Sequence, residues 1–409
     1  MWRVSRKTLN LGILAHVDAG KTTLTERLLY DSGVIDQLGA VDAGTTQTDS
    51  LPLERRRGIT IKSAVASFPI GDVGVNLIDT PGHPDFIAEV DRVLNVLDGV
   101  VLVISAVEGV QAQTRILMRS LQRLEIPALL FVNKIDRAGA NPEGVLRDIG
   151  SRLKVAVFAM GRVTSPGTRG ASFAVSEPDD TEFTTGLTEL LIEHNDGLLA
   201  TYVRAEAGVP YGQLRAELAE QTARGQVYPV FFGSAITGAG IAPLMACIAE
   251  LLPASGGDPG GPVSGRIFKI ERGSRAEKIA YVRMFSGTVH VRDRLRLGYS
   301  LDDKVTAVAV FDRGPAVQRQ AVSAARSARS GDWPRPGSGI ASERRETTLA
   351  CNSPRRPWSP PSCPVIPATR TGSGSHSGSS PNRIRSSMCD RTTSGRRSMC
   401  RSTELSRRR

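Results

Sequence analysis

The sequence predicts an α/β fold with a parallel-type sheet, followed by a small antiparallel β-barrel and a disordered tail. Short apolar runs alternate with amphipathic helical stretches through residues 1–252, as in a parallel sheet covered by helices. Short runs in which polar and apolar residues alternate then fill residues 263–324, a pattern that favours an antiparallel β-domain. In residues 325–409 apolar residues become too scarce to build a core.

Strands and helices are expected to alternate along residues 1–252. The predicted strands are Leu9–Ala15, Val75–Ile78, Val100–Ser105, Ala128–Val132 and Tyr228–Phe232. The predicted helices are Thr22–Asp31, Pro84–Leu97, Gln113–Leu124 and Ile241–Leu252. The alternation is interrupted at about residues 154–224, where we expect an insertion subdomain. Cys247 lies in the last predicted helix and is expected to be a small core residue.

A stretch rich in Gly and Pro, Pro253–Pro262, is the predicted linker to the second domain. Beyond it, the segments Ile279–Phe285, Thr288–Val291 and Val305–Val310 have the alternation of short strands. Residues 263–324 are therefore predicted to form an incomplete β-barrel.

The net charge of +11 comes from the last 85 residues. Residues 325–409 contain 17 Arg, no Lys and five acidic residues, whereas the first 324 residues carry 35 bases and 36 acids. The tail also contains 18 Ser and 9 Pro but only six Leu, Ile or Val, so it is expected to be disordered. Such a composition is typical of an out-of-frame translation of a GC-rich gene. We favour a frameshift near Val322–Ala325 over the alternative, a basic arm that touches RNA.

No membrane segment or secretory signal is expected. No apolar run approaches the roughly 20 residues of a membrane span. The basic segment Met1–Lys7 leads into a loop motif instead of an apolar stretch with a cleavage site. A cytoplasmic protein is therefore predicted.

The strongest motif lies between the first predicted strand and the first predicted helix. It fits the phosphate-loop pattern except that alanine replaces the first glycine. Small residues allow a tight loop whose amides face a phosphate, Lys21 supplies a cation, and Thr22 supplies a hydroxyl for Mg²⁺. The candidate phosphate-binding residues are Ala15, His16, Val17, Asp18, Ala19, Gly20, Lys21, Thr22 and Thr23.

Two further segments contain candidates for the γ-phosphate and the metal ion. Asp79 ends a predicted strand in Asp79-Thr80-Pro81-Gly82-His83, where its carboxylate can hold Mg²⁺ through water and the Gly82 amide can bind the γ-phosphate. Thr60, in an arginine-rich segment, is placed to reach Mg²⁺ and the γ-phosphate when its loop is ordered.

Two segments indicate that the base is guanine. In Asn133-Lys134-Ile135-Asp136 the Asp136 carboxylate can accept hydrogen bonds from guanine N1 and N2, while the stem of Lys134 covers the base. Adenine lacks this donor pair and would leave the carboxylate desolvated and unpaired, at a cost of roughly 1–3 kcal/mol or more. Ser234 and Ala235 can place a backbone amide near guanine O6. With Asn133, they complete the candidate guanine site, and all these motifs agree on GTP with Mg²⁺.

On these motifs the chain resembles the translational GTPases, and more closely the ribosome-protection tetracycline-resistance proteins, which are similar to elongation factor G. The resemblance covers about residues 3–324. Thr48-Asp49-Ser50 leading into Leu53-Glu54-Arg55, and the run from Gly109 to Leu117, favour the resistance subgroup.

The resemblance implies a phosphate-loop GTPase domain that hydrolyses GTP to GDP and phosphate when stimulated by the ribosome. It implies that His83 is the catalytic residue that orients the attacking water. Ribosomal RNA and proteins would be the partners of a monomer that promotes tetracycline release. Members of this family continue for several more domains, so we expect this product to be truncated and impaired. His16 is expected to pack or to bond backbone groups and not to react.

Three alternatives remain open from the sequence: an elongation factor G-like translation factor, a GTP-binding fragment inactive on ribosomes, and an RNA-binding protein that uses the tail. The last is the weakest, because only Trp333 and Trp358 interleave with the basic residues of the tail.

Overall fold

A computed structural model describes residues 7–39, 64–80, 87–204, 208–272, 278–297, 301–311, 316–324, 327–331 and 348–351. All of the described residues lie in the first unit of the chain, Met1–Arg355. Within these ranges no helix has the length and apolar character needed to cross a membrane.

The first unit begins with a seven-stranded sheet that contains every strand predicted for residues 1–252. The strands are β1 (Lys7–Ala15), β2 (Ala64–Ile70), β3 (Val73–Asp79), β4 (Gly99–Ser105), β5 (Ala128–Asn133), β6 (Ala156–Ala159) and β9 (Val227–Phe232). Their order is β2-β3-β1-β4-β5-β9-β6, and all neighbours are parallel except β2 and β3. The predicted parallel-type α/β sheet is thus confirmed, with one antiparallel edge strand added.

Helices cover both faces of this sheet. They are α1 (Lys21–Asp31), α2 (Ile87–Leu94), α3 (Ala112–Arg123), α4 (Pro142–Leu153), α5 (Thr181–Ile192), α6 (Asp196–Arg204), α7 (Tyr211–Ala223) and α8 (Ile241–Leu251). Residues that alternate along each strand divide between two cores, so Ile13 packs on the side of α1 and α8 while Leu14 packs on the side of α2 and α3. Strand β4 is buried along its whole length, as its continuous apolar sequence requires. Cys247 is buried in α8, as predicted, and burial raises the pKa of its thiol.

The predicted insertion at residues 154–224 contributes one strand to the main sheet. Strand β6 pairs with β9 at the sheet edge. A two-stranded ribbon of β7 (Gly161–Thr164) and β8 (Ser172–Val175) follows, and then the helices α5, α6 and α7. The sequence does not predict β6, because the strand has only four residues. All four are half-buried, so buried and exposed positions do not alternate along it.

Antiparallel strands follow the linker, as predicted. The eight-stranded sheet has the order β14-β13-β19-β10-β11-β18-β15-β16. Its members are β10 (Ser264–Arg272), β11 (Lys278–Ser286), β13 (Arg294–Leu297), β14 (Leu301–Lys304), β15 (Ala307–Phe311), β16 (Ala316–Arg319), β18 (Ser327–Gly331) and β19 (Thr348–Cys351). A ribbon of β12 (Thr288–His290) and β17 (Ala321–Ser323) shares one apolar core with this sheet, through Val289 and Val322.

The structure places two segments of the predicted tail in this sheet. Strand β18 lies antiparallel between β11 and β15, and β19 lies parallel between β10 and β13. Residues from about 325 on were expected to have no stable fold, and for the tail as a whole that expectation stays a prediction. Strand pairing uses backbone donors and acceptors, which even an Arg- and Ser-rich segment possesses, so composition alone did not indicate it.

A buried polar cluster joins strand β11 to the main sheet. One Asp98 oxygen accepts hydrogen bonds from the backbone and side-chain nitrogens of Asn10, each at 2.8 Å. Its other oxygen accepts from Ser255 and from the Arg283 guanidinium. Arg283 also donates to the Val96 carbonyl at 2.7 Å. The side chains of Asp98 and Arg283 are less than a tenth exposed, so this pair is shielded from solvent.

We expect Asp98→Ala to destabilise the protein by about 3–5 kcal/mol, because it leaves the Arg283 guanidinium buried without its carboxylate. Denaturant unfolding measures this free energy. The matched control is Glu182→Ala, which removes an exposed ion pair to Arg162 and should cost less than about 1 kcal/mol. Equal effects of the two substitutions would contradict the role given to the cluster.

Candidate functional site

The phosphate-loop motif connects β1 to α1 at the carboxyl edge of the main sheet. The loop closes on itself through a hydrogen bond from the Ala19 amide to the His16 carbonyl at 3.3 Å. Asp18 and Gly20 both have left-handed backbone angles, with φ of 63° and 92°. Gly20 is the residue immediately before α1, and the Leu24 amide donates to its carbonyl at 2.9 Å. A loop of this geometry turns successive amides toward one point, as an anion site requires.

Lys21 and Asp79 meet directly. Strand β3 lies beside β1, with Ile13 opposite Asp79, so both strands end next to the phosphate loop. The Lys21 ammonium donates to an Asp79 oxygen at 2.5 Å, and the side chains are 7% and 2% exposed. Thr80 fixes this end of β3 by donating its hydroxyl hydrogen to the Ile13 carbonyl at 2.9 Å. The buried charges of the site therefore compensate each other in this structure.

Asn133 links the phosphate loop to the loop after β9. Its amide nitrogen donates to the Ala19 carbonyl at 2.8 Å, and its amide oxygen accepts from the Ala235 amide at 3.0 Å. The predicted guanine loop is thus held against the phosphate loop by one side chain. The Ala235 amide, proposed from the sequence to face guanine O6, is engaged by Asn133 here. Ser234 is buried, and its hydroxyl accepts from the Thr237 amide at 3.2 Å.

Asp136 presents a buried carboxylate oxygen to this site. Its Oδ1 atom is excluded from solvent and has no hydrogen-bond partner among the described residues. The loop that holds it is fixed to the loop after β9, because the Ile135 amide donates to the Gly233 carbonyl at 3.2 Å. A buried acceptor without a donor is costly, so this oxygen is suited to a ligand that brings an N–H group.

Lys134 has a left-handed backbone, with φ of 68°, and its ammonium reaches Glu108 at 3.3 Å. Burial alone would raise the pKa of Glu108, but hydrogen bonding from Ser105 and the charge of Lys134 outweigh it and lower that pKa. Glu108 therefore stays ionised and holds the Lys134 side chain beside the site.

His16 forms a hydrogen bond to a side chain of α3. Its Nδ1 atom and the Thr114 hydroxyl are hydrogen-bonded at 3.1 Å. Burial lowers the pKa of His16, although the charge of Glu108 opposes this shift. The imidazole is therefore neutral. It packs against α3 and supports the phosphate loop without adding a charge to it.

The structure brings together most of the predicted site residues, and three others are not among the residues that it describes. Lys21, Thr22 and Asp79 lie at one end of the site, and Asn133 connects them to the other end. Thr60, Gly82 and His83 lie outside the described residues.

Arg27 and Glu108 contact the site but were not predicted. Arg27, on α1, donates to the Ala235 carbonyl at 3.0 Å and to the Ile236 carbonyl at 2.6 Å. More than 200 positions separate it from these partners, so no local pattern could have indicated the contact. Glu108 lies three residues after the end of β4, and its position after a buried strand was the available signal.

We expect Gly20→Ala to impair nucleotide binding and stability together. A Cβ atom at Gly20 would lie 2.3 Å from the Asn133 amide nitrogen, so Asn133 would have to leave its two hydrogen bonds. The left-handed backbone adds about 1–2 kcal/mol. Gly139→Ala is the matched control, because Gly139 has φ of 85° and open space around its Cβ position. Thermal unfolding and nucleotide titration should show the larger loss in Gly20→Ala, and equal losses would contradict this account.

Residues 6–254 match the family of the elongation factor Tu GTP binding domain. Two curated relatives are an oxytetracycline resistance protein from Streptomyces rimosus and the tetracycline resistance protein TetM from Streptomyces lividans. The first is 53% identical over 326 residues, which cover 77% of this chain and 49% of the relative. The second is 49% identical over 314 residues, covering 74% and 48%. The tetracycline resistance protein TetP from Clostridium perfringens is 43% identical over 322 residues, covering 78% and 49%.

This chain spans about half the length of the curated relatives that it matches. A crystal structure of a Thermus thermophilus protein shares the fold, with a TM-score of 0.68 at 24% identity, over 81% of this chain and 55% of that one.

Proposed function

The chain belongs to the translational GTPases, through its elongation factor Tu GTP-binding domain, and from this premise we propose that it binds GTP and hydrolyses it on the ribosome. We propose further that it represents the GTP-binding half of a ribosome-protection protein, which promotes tetracycline release. The relatives named for tetracycline resistance support this choice over an elongation factor G-like role. The expected setting is the cytoplasm, with the protein acting as a monomer.

The observation that carries the GTP proposal is the buried Oδ1 atom of Asp136, which has no donor within the described part of the chain. Guanine offers two adjacent donors, N1–H and the N2 amino group, to such a carboxylate, whereas adenine offers none in that arrangement. The Lys134 stem would cover the base, and the loop of Ser234 and Ala235 would lie near O6. Asn133 would set the distance between the base and the phosphates, because it is bonded to both loops.

The phosphate end of the site suits a triphosphate with Mg²⁺. Lys21 would turn from Asp79 toward the β- and γ-phosphates, and the loop from Ala15 to Thr23 would supply amide donors. Thr22 would ligate Mg²⁺ directly and Asp79 would hold it through water, with Thr60 as a further ligand. The fit rests on a hydroxyl at the start of α1 and a carboxylate at the end of β3, which are oxygen ligands of the kind that Mg²⁺ prefers. When bound, Mg²⁺ neutralises charge on the transferring phosphoryl group.

Gly82 would donate its amide to the γ-phosphate and His83 would orient the attacking water. Transfer of a phosphoryl group depends on positioning and charge, so hydrolysis should be slow until a partner fixes these groups.

Titration of the full chain with GDP, GTP and ATP tests the binding proposal, and GTP turnover with and without ribosomes tests the rest. We expect tight binding of both guanine nucleotides, weak binding of ATP, and hydrolysis that ribosomes accelerate. Equal affinity for ATP and GTP would overturn the proposal. Drug tolerance conferred on a bacterium by an in-frame gene would distinguish a resistance protein from an elongation factor.

A GTP-binding protein inactive on ribosomes is the second candidate. Guanine-specific binding with no ribosome stimulation is the result that would select it.

We also propose that the reading frame changes near Val322–Ala325. The Arg-, Ser- and Pro-rich composition beyond this point supports the change, although β18 and β19 lie beyond it in the sheet. Fresh sequencing of the gene across these codons should reveal an inserted or deleted base, and a single intact frame that encodes the same residues would overturn this proposal.

A further inference from the structure

We propose that Arg27 is a positioning residue that determines guanine selectivity by fixing the backbone of the loop Ser234–Ile236. The inference rests on the proposed function, because it concerns how the same site chooses its base. Arg27 lies on α1, six residues after Lys21, so one rigid helix connects the phosphate end of the site to the base end. At 1.5 Å per residue the two side chains are about 9 Å apart along the helix axis.

The contacts of Arg27 are directed at backbone carbonyls. Its Nε atom donates to the Ala235 carbonyl at 3.0 Å and its Nη2 atom to the Ile236 carbonyl at 2.6 Å. The side chain is 12% exposed; its bond to the Ala235 carbonyl is partly buried, whereas its bond to the Ile236 carbonyl is exposed to solvent. Hydrogen bonds from a charged donor are roughly twice as strong as neutral ones. The nearby Asp31 carboxylate, 3.6 Å from Nη1, and the Tyr30 ring restrict the guanidinium.

Arg27 and Asn133 together hold the Ala235 residue at both of its backbone polar groups. Asn133 accepts from the amide of Ala235, and Arg27 donates to its carbonyl. The loop also closes internally, since the Gly238 amide donates to the Ser234 carbonyl at 2.8 Å. Gly238 has φ of 88°, and a Cβ there would come within 3.4 Å of the guanidinium. That is an ordinary van der Waals distance, so glycine is favoured here by the left-handed backbone angle of the turn that lies beside Arg27.

A loop fixed in this way keeps its backbone at a constant position relative to O6 of the base, and the Ala235 amide would have to be shared between Asn133 and O6 or released to O6 when the base binds. Without Arg27 two carbonyls lose their donors, and the loop can rotate away from O6. The expected loss is therefore specific to a base that carries O6. Contacts to the phosphates and to the N2 amino group, made by other residues, should remain.

The test compares two nucleotides on Arg27→Gln and Arg27→Lys. GDP carries O6, whereas the diphosphate of 2-aminopurine riboside lacks both O6 and the N1–H donor and keeps the 2-amino group, so each variant is compared with the unmodified chain on the same nucleotide. We expect Arg27→Gln to weaken GDP binding about tenfold or more, and binding of the 2-aminopurine nucleotide by less than about threefold. Arg27→Lys, which keeps the charge but not the two-bond fork, should fall between Arg27→Gln and the unmodified chain.

Arg224→Gln is the matched control, because Arg224 pairs with Glu220 on the exposed surface of α7 in the same (i, i+4) spacing as Arg27 and Asp31. It should leave both affinities unchanged. An equal loss for both nucleotides in Arg27→Gln, or no loss of GDP affinity, would overturn the inference. Thermal unfolding shows whether Arg27→Gln folds. If it does not fold, the same comparison of the two nucleotides on Arg27→Lys tests the inference. If the unmodified chain shows no preference for GDP over the 2-aminopurine nucleotide, the result contradicts the proposed function itself and not only the role of Arg27.

Discussion

Replacing Asp136 with Asn is expected to raise the Kd for GDP by about 100-fold or more. Under the proposed function the substitution would remove two charge-assisted hydrogen bonds to guanine, each worth roughly 1.5–3 kcal/mol. It also turns an amide donor toward the donors of the base. The same change should improve binding of xanthosine diphosphate, whose base presents an acceptor at that position. Competitive titration with GDP, xanthosine diphosphate and ADP measures these affinities.

Stability should move in the opposite direction to binding. Asp136 Oδ1 is buried without a donor in the described residues, so a neutral amide at this position should leave the free energy of unfolding unchanged or raise it. Asp148→Asn is the control, because the Asp148 side chain forms an exposed ion pair with Arg152. GDP affinity that survives Asp136→Asn would show that this carboxylate does not bind the base.

Replacing Lys21 with Met is expected to remove nucleotide binding and to destabilise the protein. Loss of the cation should weaken GDP binding by about 100-fold or more. It also leaves the Asp79 carboxylate, 2% exposed in its side chain, buried without its ammonium partner. Removing one member of a buried pair typically costs about 3–5 kcal/mol. Denaturant unfolding and GDP titration measure the two effects separately.

The double variant Lys21→Met with Asp79→Asn separates the loss of stability from the loss of nucleotide binding. Neutralising Asp79 removes the uncompensated charge, so stability should recover while nucleotide binding does not. Recovery of both properties would mean that Lys21 serves only to neutralise Asp79. Failure of stability to recover would mean that the pair is not the source of the loss.

The main sheet was predictable where strands have apolar sequences long enough to be recognised. Strand β4 is a continuous run of apolar residues, and its burial on both faces follows directly from that run. Strand β2 was missed, since it contains Pro69 and pairs with β3 alone at the edge of the sheet. A strand at the edge of a sheet tolerates proline. In sequence-based prediction, however, a proline argues against assigning a strand.

The site was predictable to the extent that its residues lie in short linear motifs. The loop before Lys21 and the segment from Asn133 to Asp136 each follow a predicted strand, so their meeting at one sheet edge could be anticipated. The carbonyl contacts of Arg27 could not, because an arginine on an amphipathic helix is equally compatible with a solvated side chain. Pairing of Lys21 with Asp79 was also unforeseen, since both had been considered only as ligand-binding groups.

The Asp98–Arg283 cluster limits how this protein can be recombined with its relatives. A chimaera with a foreign β-barrel would retain Asp98 and Asn10 from this chain but receive whatever residue the donor carries opposite them. Without a guanidinium there, the hybrid would bury an acid with no counterion. Functional hybrids should therefore be obtained when the fusion point lies beyond Arg283, or when the donor brings its own arginine to that position.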